Sequence, residues 1–206
     1  MPCLNNIMEL PRPWHLDLLL EFFVQVLEAV EYMHAMRIAH MDLYVFNVLV
    51  SLPRNSEQFP EVPSGAVYII DFESALHLPQ GPGMQHPVEL PPSALSSLGR
   101  THFDPYAWDM YCVGKLFDDT IKIVWREKSL PWYVRWFTDW LIGTERGCPG
   151  VCHCRPSARL ARRVAVAARF VLSKWRGIQG VGSRGLGWVR ACSAWIAGGL
   201  GYGRQV

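Results

Sequence analysis

The segment that decides the fold is residues 40–47, which reads His40-Met41-Asp42-Leu43-Tyr44-Val45-Phe46-Asn47. It places the Asp42 carboxylate and the Asn47 carboxamide five residues apart, directly before the apolar run Val48–Val50. Short polar side chains at such positions are typical of a turn. The β-branched run that follows them predicts a strand.

A long helix is predicted immediately before this segment, over residues 16–36. Apolar residues recur there at steps of three and four, and the acidic residues fall largely on the opposite face. The apolar positions are Leu16, Leu19, Leu20, Phe23, Val26, Leu27, Val30 and Met33.

A second apolar run, Val67–Ile70, predicts another buried strand that ends on Asp71 and Phe72. Residues 51–65 between the two runs are rich in proline and polar residues, which predicts a loop. The two strands are therefore expected to pair as a hairpin.

Two further helices are predicted downstream, over residues 107–125 and 131–142. Trp132, Trp136 and Trp140 recur at four-residue steps in the second of them, and we expect that face to be buried. Residues 77–105 are rich in proline, glycine and serine and have no period, which predicts a long loop.

Charge changes sharply near residue 146. Residues 1–145 hold all 18 acidic residues and nine of the 20 lysines and arginines, whereas residues 146–206 hold 11 basic residues and no acidic one. We predict a domain over residues 1–165 and a poorly ordered tail over 166–206, basic and rich in glycine, arginine and tryptophan, with residues 159–175 able to form a helix. Translation of an intron or of a shifted frame would give such a composition.

The order of these elements resembles the protein kinases, whose catalytic loop reads His-Arg-Asp-Leu-x-x-x-x-Asn and whose metal motif reads Asp-Phe-Gly after an apolar strand. Asp109-x-Tyr111-x-x-Gly114 is similar to the Asp-x-Trp-x-x-Gly that opens a central helix in that family. Arg155-Pro156-Ser157 is similar to a later Arg-Pro-Ser/Thr motif, and His86–Glu89 is a weaker match to Ala-Pro-Glu. The resemblance covers roughly residues 1–165 and is closest to divergent kinase-like proteins of the fungal type.

The resemblance implies a mainly α, α+β fold: a kinase carboxy-terminal lobe with a small hairpin at the catalytic loop. It also implies transfer of the ATP γ-phosphate to a protein serine or threonine. Asp42 would be the catalytic base, and Asn47 and Asp71 would bind Mg²⁺ and, through it, ATP. The alternative from the residues alone is that Asp42 and Asn47 cap a turn and Asp71 ends a strand. His40 is expected to support the loop without transferring a proton.

Three positions depart from the family pattern. Met41 stands in place of an arginine that pairs with a phosphorylated segment, and a thioether cannot form that pair. Tyr44 replaces a lysine that touches the transferred phosphate, which removes electrostatic stabilisation. Glu73 replaces the glycine after Asp71-Phe72 and adds a negative charge beside the expected metal site.

No segment before the long helix matches the amino-terminal lobe of a kinase, so weak or absent activity is expected. A pseudokinase-type binding module and a non-functional truncated product are the alternatives. The partner would be a protein, without specific nucleic-acid recognition or membrane binding, and the chain is expected to be a monomer. The sequence shows no signal peptide and no apolar run of about 18 residues, which predicts a cytoplasmic or nuclear location. In the family a glutamate and an arginine at the positions of Glu89 and Arg155 form a buried ion pair.

Overall fold

The computed structural model describes residues 4–10, 12–89, 102–125, 129–144 and 154–174. They form a mixed α+β structure with small antiparallel sheets, as predicted at this level. The chain divides into two compact units, Met1–Val166 and Ala167–Val206. In the second unit residues 167–174 are helical, and the rest of the predicted tail lies outside the described residues.

The first unit begins with a short strand and ends with helices, and short strands lie between the helices. The helices are α1 (Leu16–Ala35), α2 (Pro53–Gln58), α3 (Pro105–Val124) and α4 (Trp132–Ile142), and residues 158–166 are also helical. The strands are β1 (Asn5–Asn6), β2 (Ile38–Ala39), β3 (Val48–Val50), β4 (Val67–Ile69), β5 (Leu76–His77), β6 (Val88–Glu89) and β7 (His102–Phe103).

The predicted hairpin is confirmed, because β3 and β4 pair antiparallel with Val48 opposite Ile69. Strand β1 adds to the other side of β3, with Asn5 opposite Val50. This pairing was not predicted, since residues 1–15 carry no strand pattern. Two shorter antiparallel pairs are also present, β2 with β5 and β6 with β7, and the β6–β7 pair lies within the part of the chain predicted as a loop.

The main core lies where α1, α3 and α4 meet. Phe23 on α1 and Phe117 on α3 are fully buried, and their rings stack with a centroid distance of 3.8 Å and an angle of 8°. Phe137 on α4 packs against the same Phe23 ring at 6.3 Å. Burying three large rings removes enough apolar surface to hold the three helices together.

The predicted burial of the tryptophan face of α4 is wrong. Trp132 and Trp136 are 77% and 51% exposed, and Trp140 is only partly buried. The buried face consists of Val134, Phe137, Thr138 and Leu141. The reason lies in α3: a Cβ added at Gly114 would come within 2.8 Å of the Ile142 backbone nitrogen. The two helices therefore approach too closely for indole rings, and the smaller apolar face fits instead.

The predicted loop over residues 51–65 also contains a helix, α2. Pro53 occupies its first turn, where a missing N–H costs nothing. Asn55 is buried and its Oδ1 accepts a hydrogen bond from the Leu52 backbone nitrogen. Proline and asparagine indicate loops in sequence, but here they start and fix a short helix.

Arginines on the helix at residues 158–166 pair with acidic residues on α1. The Arg162 Nε donates a hydrogen bond to Glu31, and an Arg162 nitrogen lies 3.8 Å from Glu28 Oε1. Arg159 lies 3.9 Å from Glu31 Oε1. Among the described residues, no helix is both long enough and apolar enough to cross a membrane.

Candidate functional site

The turn predicted between Asp42 and Asn47 is closed by the Asn47 side chain. Its Nδ2 donates to the Asp42 backbone oxygen at 2.9 Å and to Asp42 Oδ2 at 3.1 Å. Both acceptors lack a proton to donate, so the amide nitrogen must face them and Asn47 Oδ1 must point elsewhere. Asn47 is buried and Asp42 is half-buried, so the site lies at the edge of the core.

His40 joins the segment of residues 40–47 to the end of β4. The residue is fully buried, and its Nε2 lies 3.1 Å from the Ile70 backbone oxygen. Its Nδ1 accepts a longer bond of 3.4 Å from the Asp42 backbone nitrogen. Together these contacts require the ring proton on Nε2, and both ring nitrogens are engaged with the backbone.

Asp71 lies between two residues, Ile70 and Phe72, that contact the segment of residues 40–47. The Ile70 nitrogen donates to the Asn47 backbone oxygen at 3.0 Å, and the Phe72 ring lies 4.8 Å from the His40 ring. Asp71 itself is exposed and adopts φ 65°, a left-handed conformation that aspartate tolerates better than most residues. The backbone segments that carry Asp42, Asn47 and Asp71 are therefore held together by short contacts.

The Asp109 side chain holds the start of the segment of residues 40–47 in place. It is fully buried in the second turn of α3, a helix that begins at the N-cap Asp104 followed by Pro105. Its Oδ2 accepts a hydrogen bond from the His40 backbone nitrogen at 2.8 Å and contacts His34 Nε2 at 3.0 Å. Its Oδ1 accepts from the Met41 nitrogen at 2.8 Å.

The role of Asp109 was not predicted, although the motif that contains it was identified. The signal was an aspartate at a buried position of an otherwise apolar helix face. A buried carboxylate needs several donors, and the two backbone N–H groups and the His34 ring provide them. Those donors lie 68 to 75 residues away in the sequence.

Met41 is held in a strained backbone conformation by the same helix. Its φ is 68°, which costs a non-glycine residue about 1–2 kcal/mol. The Asp109 carboxylate binds its N–H, and the Trp108 Nε1 donates to its backbone oxygen at 3.0 Å. Its side chain is buried in an apolar cluster with Ala39, Leu78, Phe103, Tyr106 and Trp108. The Met41 thioether therefore serves packing.

The surface around Asp42 is aromatic and acidic. Tyr44 and Phe46 are 44% and 58% exposed, and their rings make an edge contact at 5.8 Å. Phe72 is also exposed, beside the exposed carboxylates of Asp71 and Glu73. Arg54 is the single lysine or arginine between residues 38 and 76, and its guanidinium binds Asn5. The candidate site therefore offers no cation of its own from these segments.

The Cys112 thiol lies behind the loop. Burial raises the pKa of this thiol above its ordinary value of 9.0, and the negative charge of Asp109 raises it further. The thiol is therefore protonated at neutral pH, and a protonated thiol is a poor nucleophile. Cys112 is a packing residue beneath the site.

Among the residues that the structure describes, no group of three His, Cys, Asp or Glu side chains is arranged to hold a metal ion. Any cation at this site would need Asn47 Oδ1 together with carboxylate oxygens from Asp42 or Asp71. Carboxylate and amide oxygens are the class of ligand that Mg²⁺ prefers. The donor set therefore fits Mg²⁺ in its chemistry.

The expected ion pair between Glu89 and Arg155 is not formed. Glu89 is exposed on β6, opposite His102, whereas Arg155 is buried. The Arg155 Nε donates to the Ile142 backbone oxygen at 2.7 Å, and its guanidinium lies 5.1 Å above the Tyr111 ring. Arg155 thus joins the end of α4 to α3.

Comparison with known proteins adds no relative to this description. The chain matches no family model and no curated protein. The resemblance to protein kinases therefore depends on the motifs and on the contacts between them.

Proposed function

We propose that the first unit is a protein-kinase-like carboxy-terminal lobe, whose activity by family resemblance is transfer of the ATP γ-phosphate to a protein serine or threonine. In this proposal Asp42 is the base that accepts the proton of the attacking hydroxyl. Asn47 and Asp71 hold Mg²⁺. Transfer by this chain is weak.

One observation carries the proposal. The two segments with the most specific resemblance, residues 40–47 and Asp109–Gly114, are joined by two hydrogen bonds to a single buried carboxylate, which also contacts His34 on α1. Nothing in the local pattern of either segment requires this contact. The buried Asp109 carboxylate fixes the backbone directly before Asp42 and so holds this candidate base in position. This contact supports a site that needs exact placement of Asp42.

The chemistry of phosphoryl transfer agrees with the residues present. Such transfer requires positioning and charge neutralisation more than covalent help from the protein. When bound, Mg²⁺ would supply the positive charge that neutralises the phosphate oxygens. The Asn47 contact keeps one Asp42 oxygen occupied, which leaves the other for a substrate hydroxyl. The Ile70 and Phe72 contacts hold the backbone of Asp71 close to the loop.

Weak transfer follows from the charges around the site. Tyr44 offers no cation to the phosphate, and Glu73 adds a second exposed carboxylate two residues after Asp71. Electrostatic stabilisation of the developing charge is usually the largest catalytic contribution, and one donor is worth about 10²–10³ in rate. An acidic surface opposes the approach of a triphosphate.

The metal site can be tested without turnover. We expect Mn²⁺, used in place of Mg²⁺, to broaden the NMR amide signals of residues 42, 47 and 71 in a saturable manner. Asp71→Asn should weaken this binding about tenfold or more, because it removes one anionic ligand. Asp119→Asn on the exposed face of α3 is the control and should change nothing. Equal broadening in the parent and in Asp71→Asn would contradict the assignment of the metal ligands.

Transfer itself is measured with labelled ATP, Mg²⁺ and casein as a generic acceptor. We expect labelling only slightly above background, and the part above background should disappear in Asp42→Asn, since general-base catalysis contributes about 10²–10⁴. Labelling that Asp42→Asn leaves unchanged would reject Asp42 as the base. Rapid phosphate transfer that Asp42→Asn abolishes would support the kinase assignment and would contradict the expectation that transfer is weak.

A binding module is the second candidate, and the exposed Tyr44, Phe46 and Phe72 favour it. Aromatic side chains are enriched where proteins bind partners. In that case the site is a remnant that recognises a protein without transferring phosphate, and Mn²⁺ would not bind at Asp71.

A further inference from the structure

A second concave site lies at the turn end of the β3–β4 hairpin, whereas the candidate catalytic loop adjoins its other end. It is a pocket of about 230 Å³ between the first half of α1, the end of β3 and the segment that precedes α1. This volume is below the roughly 300–1,000 Å³ of drug-sized sites, so it suits a ligand of about one ring. None of Asp42, Asn47 and Asp71 lines the pocket.

The walls of this pocket are mostly apolar and well packed. Leu10, Trp14, Phe22 and Val50 line it and are each more than nine-tenths buried. The Trp14 ring makes an edge contact with the Phe22 ring at 5.6 Å, so the aromatic wall is fixed. Half-exposed Leu18 stands at the solvent side.

The turn of the hairpin is fixed to α1 by Gln25, which also lines the pocket. Its Nε2 donates to the Gly65 backbone oxygen at 3.2 Å, and its Oε1 accepts from the Val67 nitrogen at 3.0 Å. The pocket is therefore formed before any ligand enters, which lowers the entropy cost of binding.

Among the described residues that line the pocket, Glu21 is the one acidic side chain. Its Oε2 is buried, whereas its Oε1 accepts a long bond of 3.3 Å from Gln25 Nε2. A carboxylate oxygen beside a fixed aromatic wall complements a ligand with a cationic head and an apolar body. The low dielectric of such a wall strengthens the attraction between opposite charges.

We propose that this pocket binds a small aryl or alkyl ammonium compound, with the ammonium group on Glu21 Oε1 and the apolar group against Trp14 and Phe22. The proposal is independent of the kinase-like site, since the two sites share no residue.

The probe is phenethylamine, and its neutral counterpart is 2-phenylethanol, which has the same ring and chain length. Binding to the full 206-residue chain is measured by calorimetry and by the NMR shift of the Trp14 indole N–H, assigned with Trp14→Phe. We expect saturable one-site binding of the amine, about tenfold or more tighter than the alcohol, as a charge-assisted hydrogen bond provides.

Glu21→Gln keeps the size of the side chain and removes its charge. It should bring the amine and the alcohol to the same affinity while the chain stays folded by circular dichroism. Glu57→Gln, on the exposed side of α2 and outside the pocket, removes the same charge and should preserve the tenfold preference. Equal affinity of the two probes in the parent chain, no saturable shift at Trp14, or an unchanged preference in Glu21→Gln would each overturn the proposal.

Discussion

Replacing Asp109 with alanine should lower the free energy of unfolding by about 3–5 kcal/mol, a large part of the roughly 5–15 kcal/mol typical of a domain. The substitution leaves the N–H groups of His40 and Met41 and the His34 ring without their buried acceptor. Each buried polar group that loses its partner costs about 1–3 kcal/mol. Urea unfolding followed by circular dichroism measures the change.

The control for this substitution is Asp119→Asn on the same helix. Asp119 is half-exposed and pairs with the exposed Lys122 at 3.1 Å, so the loss should be below about 1 kcal/mol. Amide exchange gives a local readout: the Met41 N–H should lose protection in Asp109→Ala, because it loses its acceptor and Trp108 Nε1 then binds only the backbone oxygen of this residue. A stable Asp109→Ala variant with a protected Met41 amide would disprove the anchoring role of Asp109.

Replacing Phe117 with alanine should cost about 3–5 kcal/mol, the usual range for removing a buried phenylalanine ring. Phe117 is fully buried and stacks on Phe23, so the change opens a cavity where α1, α3 and α4 meet. Leucine at this position fills part of the space and should cost less. Thermal and urea unfolding of the two variants give the comparison.

Trp132→Ala on α4 is the matched control for the aromatic core. Trp132 is 77% exposed, and its ring makes an edge contact with neighbouring Tyr133 at 5.9 Å. Its removal should change stability by no more than about 0.5 kcal/mol. If Trp132→Ala were as damaging as Phe117→Ala, the tryptophan face of α4 would have to be buried, contrary to the structure.

The parts of the fold that periodicity fixes could be predicted from the sequence. Helices α1 and α3 each carry one broad apolar face, and the β-branched runs of β3 and β4 leave no other interpretation. Helix α4 was predicted as a helix but with the wrong face inside. It carries two apolar faces, and Gly114 on another helix decides between them. The effect of a residue on α3 cannot be predicted from the local sequence pattern of α4.

In the candidate site, too, local contacts could be predicted from the sequence and long-range contacts could not. The contact between Asp42 and Asn47 spans five residues and follows from their spacing. The anchoring by Asp109 joins residues about 70 positions apart, and its register depends on how α3 packs under the loop. The expected pairing of Glu89 with Arg155 was wrong, because Arg155 instead binds the Ile142 carbonyl at the end of α4.

The ion pair between Arg162 and Glu31 bears on synthesis of the chain. It joins residues 131 positions apart, so α1 leaves the ribosome long before the arginine that pairs with it exists. At translation rates of about 5–20 residues per second, the delay is roughly 7–26 s. The apolar face of α1 meanwhile lacks Phe117 as well. During that interval the nascent chain presents an uncovered hydrophobic helix, the kind of segment that molecular chaperones protect from aggregation.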